Sequence, residues 1–230
     1  GTAALPEPPA ASGPDSLRGG VILLHGHGRT GLSMRPLASA LRAAGFATLT
    51  PSYGLRRTMP EIIDYLRPRI AAFADAHDGP LHVVTHSLGG LVARALLTRH
   101  RPARLGRVVM LAPPNAGSPL ADALHRYGLG NIVLGPVGDF LRTRRTRAAE
   151  AALGAVNYDL GIIAGDHMLL PALTRAFIPD AGDGKVAVAA THVAGMAAHI
   201  VLPVAHTFMV RDPRVIAQTL AYLTTGAFDR

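Results

Sequence analysis

The chain has no cysteine, and its single lysine is Lys185. Without cysteine, disulfides, thiolate nucleophiles and cysteine-ligated metals are excluded, while every cellular compartment stays open. No Gly-Lys-Ser or Gly-Lys-Thr occurs, which excludes a phosphate-binding P-loop. Aromatic residues make up only 5% of the chain, too few for a base-stacking platform. Charged residues are 17% and hydrophobic ones 49%, a balance that excludes a disordered chain. No apolar run approaches the roughly 20 residues that cross a bilayer.

What is present is a chain of 230 residues, the right size for one α/β domain with a sizeable core. Its formal net charge of +8 is carried almost entirely by arginine. With one lysine and few aromatics, that charge does not indicate a nucleic-acid partner. The densest basic cluster, Arg142, Arg144, Arg145 and Arg147, is expected to form one solvated helix face, with attraction to a membrane surface as the alternative. Residues 1–19 are expected to be a loose tail, Pro/Ala-rich as far as Pro14. Residues 20–230 are expected to form one domain, with a candidate small cap within 119–150. Secreted and cytoplasmic locations both stay open, as does the oligomeric state.

From Gly20 onward, short apolar runs alternate with helix-patterned segments. The runs around Val21–Leu24, Phe46–Thr50, Leu81–Val84, Val108–Leu111, Leu160–Ala164 and Ala198–Leu202 read as strands. Helices are expected at 32–44, 60–76 with a bend near Pro68, 88–99 and 215–223. Such alternation implies a mainly parallel central sheet with helices on both faces. The apolar patch Ile132, Val133, Leu134, Val137, Phe140 and Leu141 reads either as a cap over a pocket or as ordinary core.

One stretch carries chemistry. Thr85-His86-Ser87-Leu88-Gly89-Gly90 lies between a strand-like and a helix-like run. A serine on a sharp strand-to-helix turn is a nucleophile elbow, usually spelled Gly-x-Ser-x-Gly; here Thr85 takes the first glycine position. A serine hydroxyl needs a base, an acid to orient that base, and donors for the oxyanion. His206 follows the last strand and precedes the last helix, the place for the base, whereas His199 lies inside a strand. For the acid, Asp183 in the turn Gly182-Asp183-Gly184 and Asp166 after the fifth strand both qualify. The oxyanion donors are expected to be the backbone N–H groups of Leu88 and His27. His86 is expected to pack under the elbow helix, because neighbouring side chains on a sharp turn point apart.

Two other readings compete. Gly26-His27-Gly28-Arg29-Thr30-Gly31 spells Gly-x-Gly-x-x-Gly after a strand, which could signal a nicotinamide-dependent oxidoreductase. The acidic residue that should hold the ribose is missing at Thr50-Pro51-Ser52-Tyr53, though Arg56 and Arg57 could face a phosphorylated ribose. His25 and His27 could both reach a metal, but no carboxylate or cysteine stands beside them at ligand spacing. Neither cofactor nor metal is therefore expected.

In four stretches, taken in order, the chain resembles the α/β-hydrolase superfamily, and most of all its compact bacterial lipases and esterases. Val21 to Gly28 resembles the oxyanion strand and loop, and Thr85 to Gly90 the elbow. Leu111 to Asp122, containing Pro114-Asn115-Ala116-Gly117-Ser118, resembles a lipase segment with a recurring Pro-x-x-Gly-Ser run. Gly182 to Val186 and Leu202 to His206 resemble the Asp-Gly-x-Val and terminal-histidine regions. The resemblance implies a minimal α/β-hydrolase fold and a Ser87–His206–Asp183 triad hydrolysing carboxylic esters, small or lipid, through an acyl-enzyme. It is this resemblance that favours Asp183 over Asp166. Transfer of the acyl group to an acceptor other than water is the alternative, and peripheral contact with lipid surfaces is a further expectation.

Overall fold

The computed structural model describes residues 18–54, 56–167 and 188–230. Six strands form one sheet: β1 (Gly20–Leu24), β2 (Ala47–Leu49), β3 (Leu81–His86), β4 (Leu105–Leu111), β5 (Leu160–His167) and β6 (Ala198–Ala205). Their order is β2-β1-β3-β4-β5-β6, and every pairing is parallel. All C-terminal strand ends therefore point one way, and the loops that follow them share one edge of the sheet.

The helices are α1 (Arg35–Ala43), α2 (Met59–Ala76), α3 (Gly89–Arg99), α4 (Pro119–Arg126), α5 (Gly130–Leu134), α6 (Arg147–Leu153) and α7 (Pro213–Thr225). Strand residues alternate between two faces, and two separate cores follow from that period. Ile22, Leu24, Val83, Val108, Met110 and Ile162 pack with α2 and α3. Val21, Leu23, Val84, Val109, Leu111 and Ile163 pack with α1 and α7. The central strands are buried on both faces, so they read as unbroken apolar runs in the sequence.

Local chemistry sets several boundaries. Thr58 Oγ1 accepts from the Glu61 N–H, and Glu61 Oε1 accepts from the Thr58 N–H, closing a capping box at the start of α2. That helix contains Pro68 as one continuous element. The Asp212 carboxylate accepts from the N–H groups of Arg214 and Val215 to start α7, and Gly226 at φ 77° ends it.

The arginine cluster departs from the expected single helix face. Arg142, Arg144 and Arg145 lie between the 3-10 turn Gly135–Leu141 and α6, whose first residue is Arg147. Arg145 has a buried side chain and donates to the carbonyls of Phe140, Asn115 and Pro114. A planar guanidinium with five donors can satisfy several loop carbonyls at once, which draws it inward. The apolar patch also divides: Val137 and Leu141 are core, whereas Ile132 and Val133 face solvent.

Candidate active site

Ser87 stands between the last residue of β3, His86, and the start of α3. Its φ is 54°, the left-handed region that a non-glycine residue enters at a cost of about 1 kcal/mol or more. The Ser87 N–H donates to the Leu111 carbonyl at 2.9 Å, and its own carbonyl accepts from the Gly90 N–H at 2.9 Å. Close packing holds the turn in place. A Cβ on Gly89 would stand 2.2 Å from the Leu24 carbonyl oxygen, and one on Gly90 would stand 2.8 Å from Pro113 Cβ. Only hydrogens fit at these two positions, so α3 begins hard against β1 and the loop after β4. Thr85, in place of the usual glycine, is buried beneath Gly90 with its hydroxyl unpartnered among the described residues. Ala112 is the other non-glycine residue at positive φ among those described, at the same end of β4.

The loop after β1 folds onto the serine. A Cβ on Gly26 would lie 3.4 Å from Ser87 Cβ. His25 is buried, and its ring stacks on Tyr53 at 3.9 Å. His25 Nε2 accepts from the Tyr53 N–H at 3.1 Å, so Nδ1 carries the proton and donates to the Gly26 carbonyl at 2.7 Å. Burial holds this imidazole below its ordinary pKa, in line with the unprotonated Nε2 that accepts from Tyr53. The Tyr53 hydroxyl donates to the His25 carbonyl at 2.5 Å. These three bonds hold the loop's backbone over Ser87. Among the described residues, the N–H groups of His27 and Leu88 donate no hydrogen bond. The packing also explains two glycines of the Gly-x-Gly-x-x-Gly spelling: Gly26 abuts Ser87, and a Cβ on Gly31 would meet the Thr50 carbonyl oxygen.

His206 heads the 3-10 turn that follows β6. Part of its surface is accessible, but the rest is enclosed by protein. That desolvation, with the positive charge of Arg29 second, lowers its pKa. His86 lies against it rather than under α3. The His86 Nε2–H donates to the His206 carbonyl at 2.9 Å, and the two rings stand 4.9 Å apart. His86 is buried, and its pKa is pushed down to about 3, first by burial and then by the charges of His206 and Arg29. Its neighbour Ser87 occupies the turn, so the His86 ring is free to lie along the strand-end edge.

Asp183 lies outside the described residues. Asp166 is the penultimate residue of β5, inside the strand and not after it, and accepts from His167 Nδ1–H at 2.5 Å, with both side chains about half exposed. No hydrogen bond joins Asp166 to His206 among the described residues. His199 bonds Thr191 Oγ1 and stacks on His192 within β6 and its approach, a structural placement. His27 Nε2–H donates to the Leu134 carbonyl at 2.7 Å, linking the loop after β1 to α5. Two contributors had no visible signal in the sequence: Tyr53, which fixes His25, and Arg29, whose charge reaches both His86 and His206.

A narrow crevice bordered by Gly26, His27, Leu88 and Val137 opens beside Ser87. A larger groove among the described residues, about 1100 Å³, is elsewhere. It is bordered by Leu81, Arg104 and Asp64 at the opposite, N-terminal ends of the strands, roughly 20 Å away by strand rise. This larger groove is therefore remote from the Ser87 turn.

Comparison with known proteins agrees with this fold. Residues 21–222 match the model of the alpha/beta hydrolase family. A mature Bacillus licheniformis lipase is similar in structure, with a TM-score of 0.73 and 15% identity over 92% of this chain and 93% of that one. The type II thioesterase of the borrelidin biosynthetic cluster has a TM-score of 0.56 and 18% identity over 91% and 93%. A Bacillus subtilis carboxylesterase has a TM-score of 0.55 and 16% identity over 93% and 87%. At such identities these likenesses speak for the fold alone. No curated protein sequence matches the chain.

Proposed function

The chain belongs to the alpha/beta hydrolase family, and from that premise we propose that it hydrolyses carboxylic esters through Ser87, His206 and Asp183. The observation that carries the reading is the strained Ser87, with the N–H groups of His27 and Leu88 unengaged among the described residues and His206 at the same sheet edge. In this reading His206 accepts the Ser87 proton as the hydroxyl oxygen bonds to the ester carbonyl carbon. The resulting oxyanion is held by the His27 and Leu88 N–H groups. His206 then passes the proton to the departing alcohol, and the C–O bond breaks to leave an acyl-serine. Water repeats the sequence and releases the acid. Asp183 orients the imidazole and balances its transient positive charge.

Desolvation and then the charge of Arg29 lower the pKa of His206, which favours the neutral, proton-accepting imidazole. The test is hydrolysis of p-nitrophenyl esters of short and long acids by the wild type, Ser87→Ala and His206→Ala. Both variants should fall by about a thousandfold or more. Wild-type rates in Ser87→Ala would refute the reading. An added alcohol, with products separated by chromatography, distinguishes hydrolysis from acyl transfer.

Contact with lipid–water interfaces is favoured by one surface. Tyr127 is 73% and Ile132 80% exposed on and beside α4 and α5, with Leu120 and Val133 also exposed nearby. Exposed arginines, Arg126 and Arg144 among them, flank this stretch, and the chain's net charge is +8. Apolar side chains fringed by cations suit an anionic lipid surface. Sedimentation with phosphatidylglycerol vesicles should retain the protein, and Ile132→Asp with Tyr127→Asp should release it. Equal retention of both would refute this contact.

A further inference from the structure

The proposed triad gives no role to His86, yet this residue is buried at the strand ends and hydrogen-bonded to the backbone of His206. It is the last residue of β3 and is adjacent to Ser87. We infer that His86 is a positioning residue for the base: its Nε2–H holds the His206 carbonyl, and so the His206 ring, in register with Ser87. The inference rests on the ester-hydrolase reading for its catalytic consequence.

The topology makes the bond consequential. β3 is central, whereas β6 is the edge strand, paired among the described residues with β5 alone. Three strand spacings separate β3 from β6, about 14 Å. The turn after this edge strand is anchored by the strand's single pairing and by Met209 and Val210, which sit in the core against α1 and α7; His206, at the head of the turn, precedes both anchors. The His86–His206 bond, spanning 120 residues of sequence, ties this loop directly to the strand that carries the nucleophile. Ser87 and His206 thereby refer to the same backbone, one residue removed from each other's support.

The chemistry of the ring fits the task. A carbonyl only accepts, so Nε2 must be the protonated nitrogen of a neutral imidazole. Its Nδ1 is buried and unpartnered among the described residues, facing the position that a Gly26 Cβ would occupy at 3.6 Å. Among the described residues, the titratable or charged groups that lower its pKa are His206 and Arg29, and both disfavour a charge on this ring. A neutral His86 can lie 4.9 Å from His206 while that ring becomes an imidazolium, whereas a permanently charged side chain would oppose it.

Two variants and one spectroscopic measurement test this. His86→Leu removes the donor; His86→Gln keeps an N–H at about the same reach. On p-nitrophenyl butyrate, His86→Leu should lower kcat by about ten- to a hundredfold with KM within about twofold, as expected for a displaced base. His86→Gln should recover most of that loss, which a general packing role would not allow. Wild-type kcat in His86→Leu, or equal losses in both variants, would overturn the inference.

Imidazole ¹⁵N spectra of the wild type read the bond without turnover. A neutral, Nε2-protonated His86 is expected from about pH 5 to about pH 9. An Nδ1-protonated or cationic ring would overturn the inference. Should His86→Leu fail to fold, His86→Gln and the spectra decide. Ser87→Ala serves as the control: undiminished hydrolysis there would remove the ester-hydrolase reading, while the spectra still decide the bond itself.

Discussion

Gly89 and Leu24 are so close that a Cβ at position 89 would stand 2.2 Å from the Leu24 carbonyl oxygen. That approach sets where α3 begins relative to β1, and thereby where Ser87 turns out of the sheet.

Gly89→Ala is therefore expected to destabilise the protein by about 1–3 kcal/mol, because backbone must move to admit the methyl group. For a chain of this size the melting temperature should drop by roughly 2–4 °C per kcal/mol. Ester hydrolysis should fall further than stability alone explains, since the displaced helix carries the Leu88 N–H. Thermal denaturation followed by circular dichroism, with an activity assay well below the transition, checks both. Gly28 is the contrast: a Cβ there meets nothing within 4 Å, and its constraint is its φ of +69° alone.

The pH profile has a definite sign. The base acts when neutral, so the rate rises as His206 loses its proton. Burial and the Arg29 charge both lower its pKa below the ordinary 6.5. The acidic limb of kcat/KM should accordingly lie below that value. Arg29→Ala removes one of the two causes, so the limb should move to higher pH while remaining a single titration. Arg29 is exposed, so added salt should move the wild-type limb in the same direction, by less. A limb that stays in place or moves to lower pH in Arg29→Ala would contradict this electrostatic account.

The two aspartates are predicted to behave differently. Asp166 is half exposed and already bonded to His167. Asp166→Asn should keep activity within about twofold, as surface substitutions generally do. Asp183→Asn should lose on the order of a thousandfold or more in kcat, the scale of removing an acid that orients an imidazole. Steady-state kinetics of the two variants side by side decide it, and the reverse ranking would move the acid to Asp166.

Much of the fold was legible because its strands are buried on both faces. Val21–Leu24 and Val108–Leu111 are short apolar runs bounded by turn residues, and both are strands. The elbow was legible because close backbone approach demands glycine at 89 and 90. The place of His206 between β6 and α7 followed from chain order alone. What the sequence could not reveal were contacts made across the fold. The ring of His86 was expected under α3, but it lies against His206, 120 residues away. Arg145 read as a surface charge, yet it donates to the nearby Phe140 carbonyl and to the carbonyls of Pro114 and Asn115, one distant segment. Nothing in the local pattern around Tyr53 announces that its hydroxyl fixes His25. Side chains whose partners come from other strand ends leave no periodic trace.

The most direct measurement of the central claim is covalent capture of the nucleophile. A fluorophosphonate ester should phosphorylate one residue, with loss of fluoride and a proton passed to the base. Peptide mass spectrometry of the wild type is predicted to place that adduct on Ser87, to find none in Ser87→Ala, and to find much slower labelling in His206→Ala. An adduct elsewhere, or equal labelling of Ser87→Ala, would contradict the account.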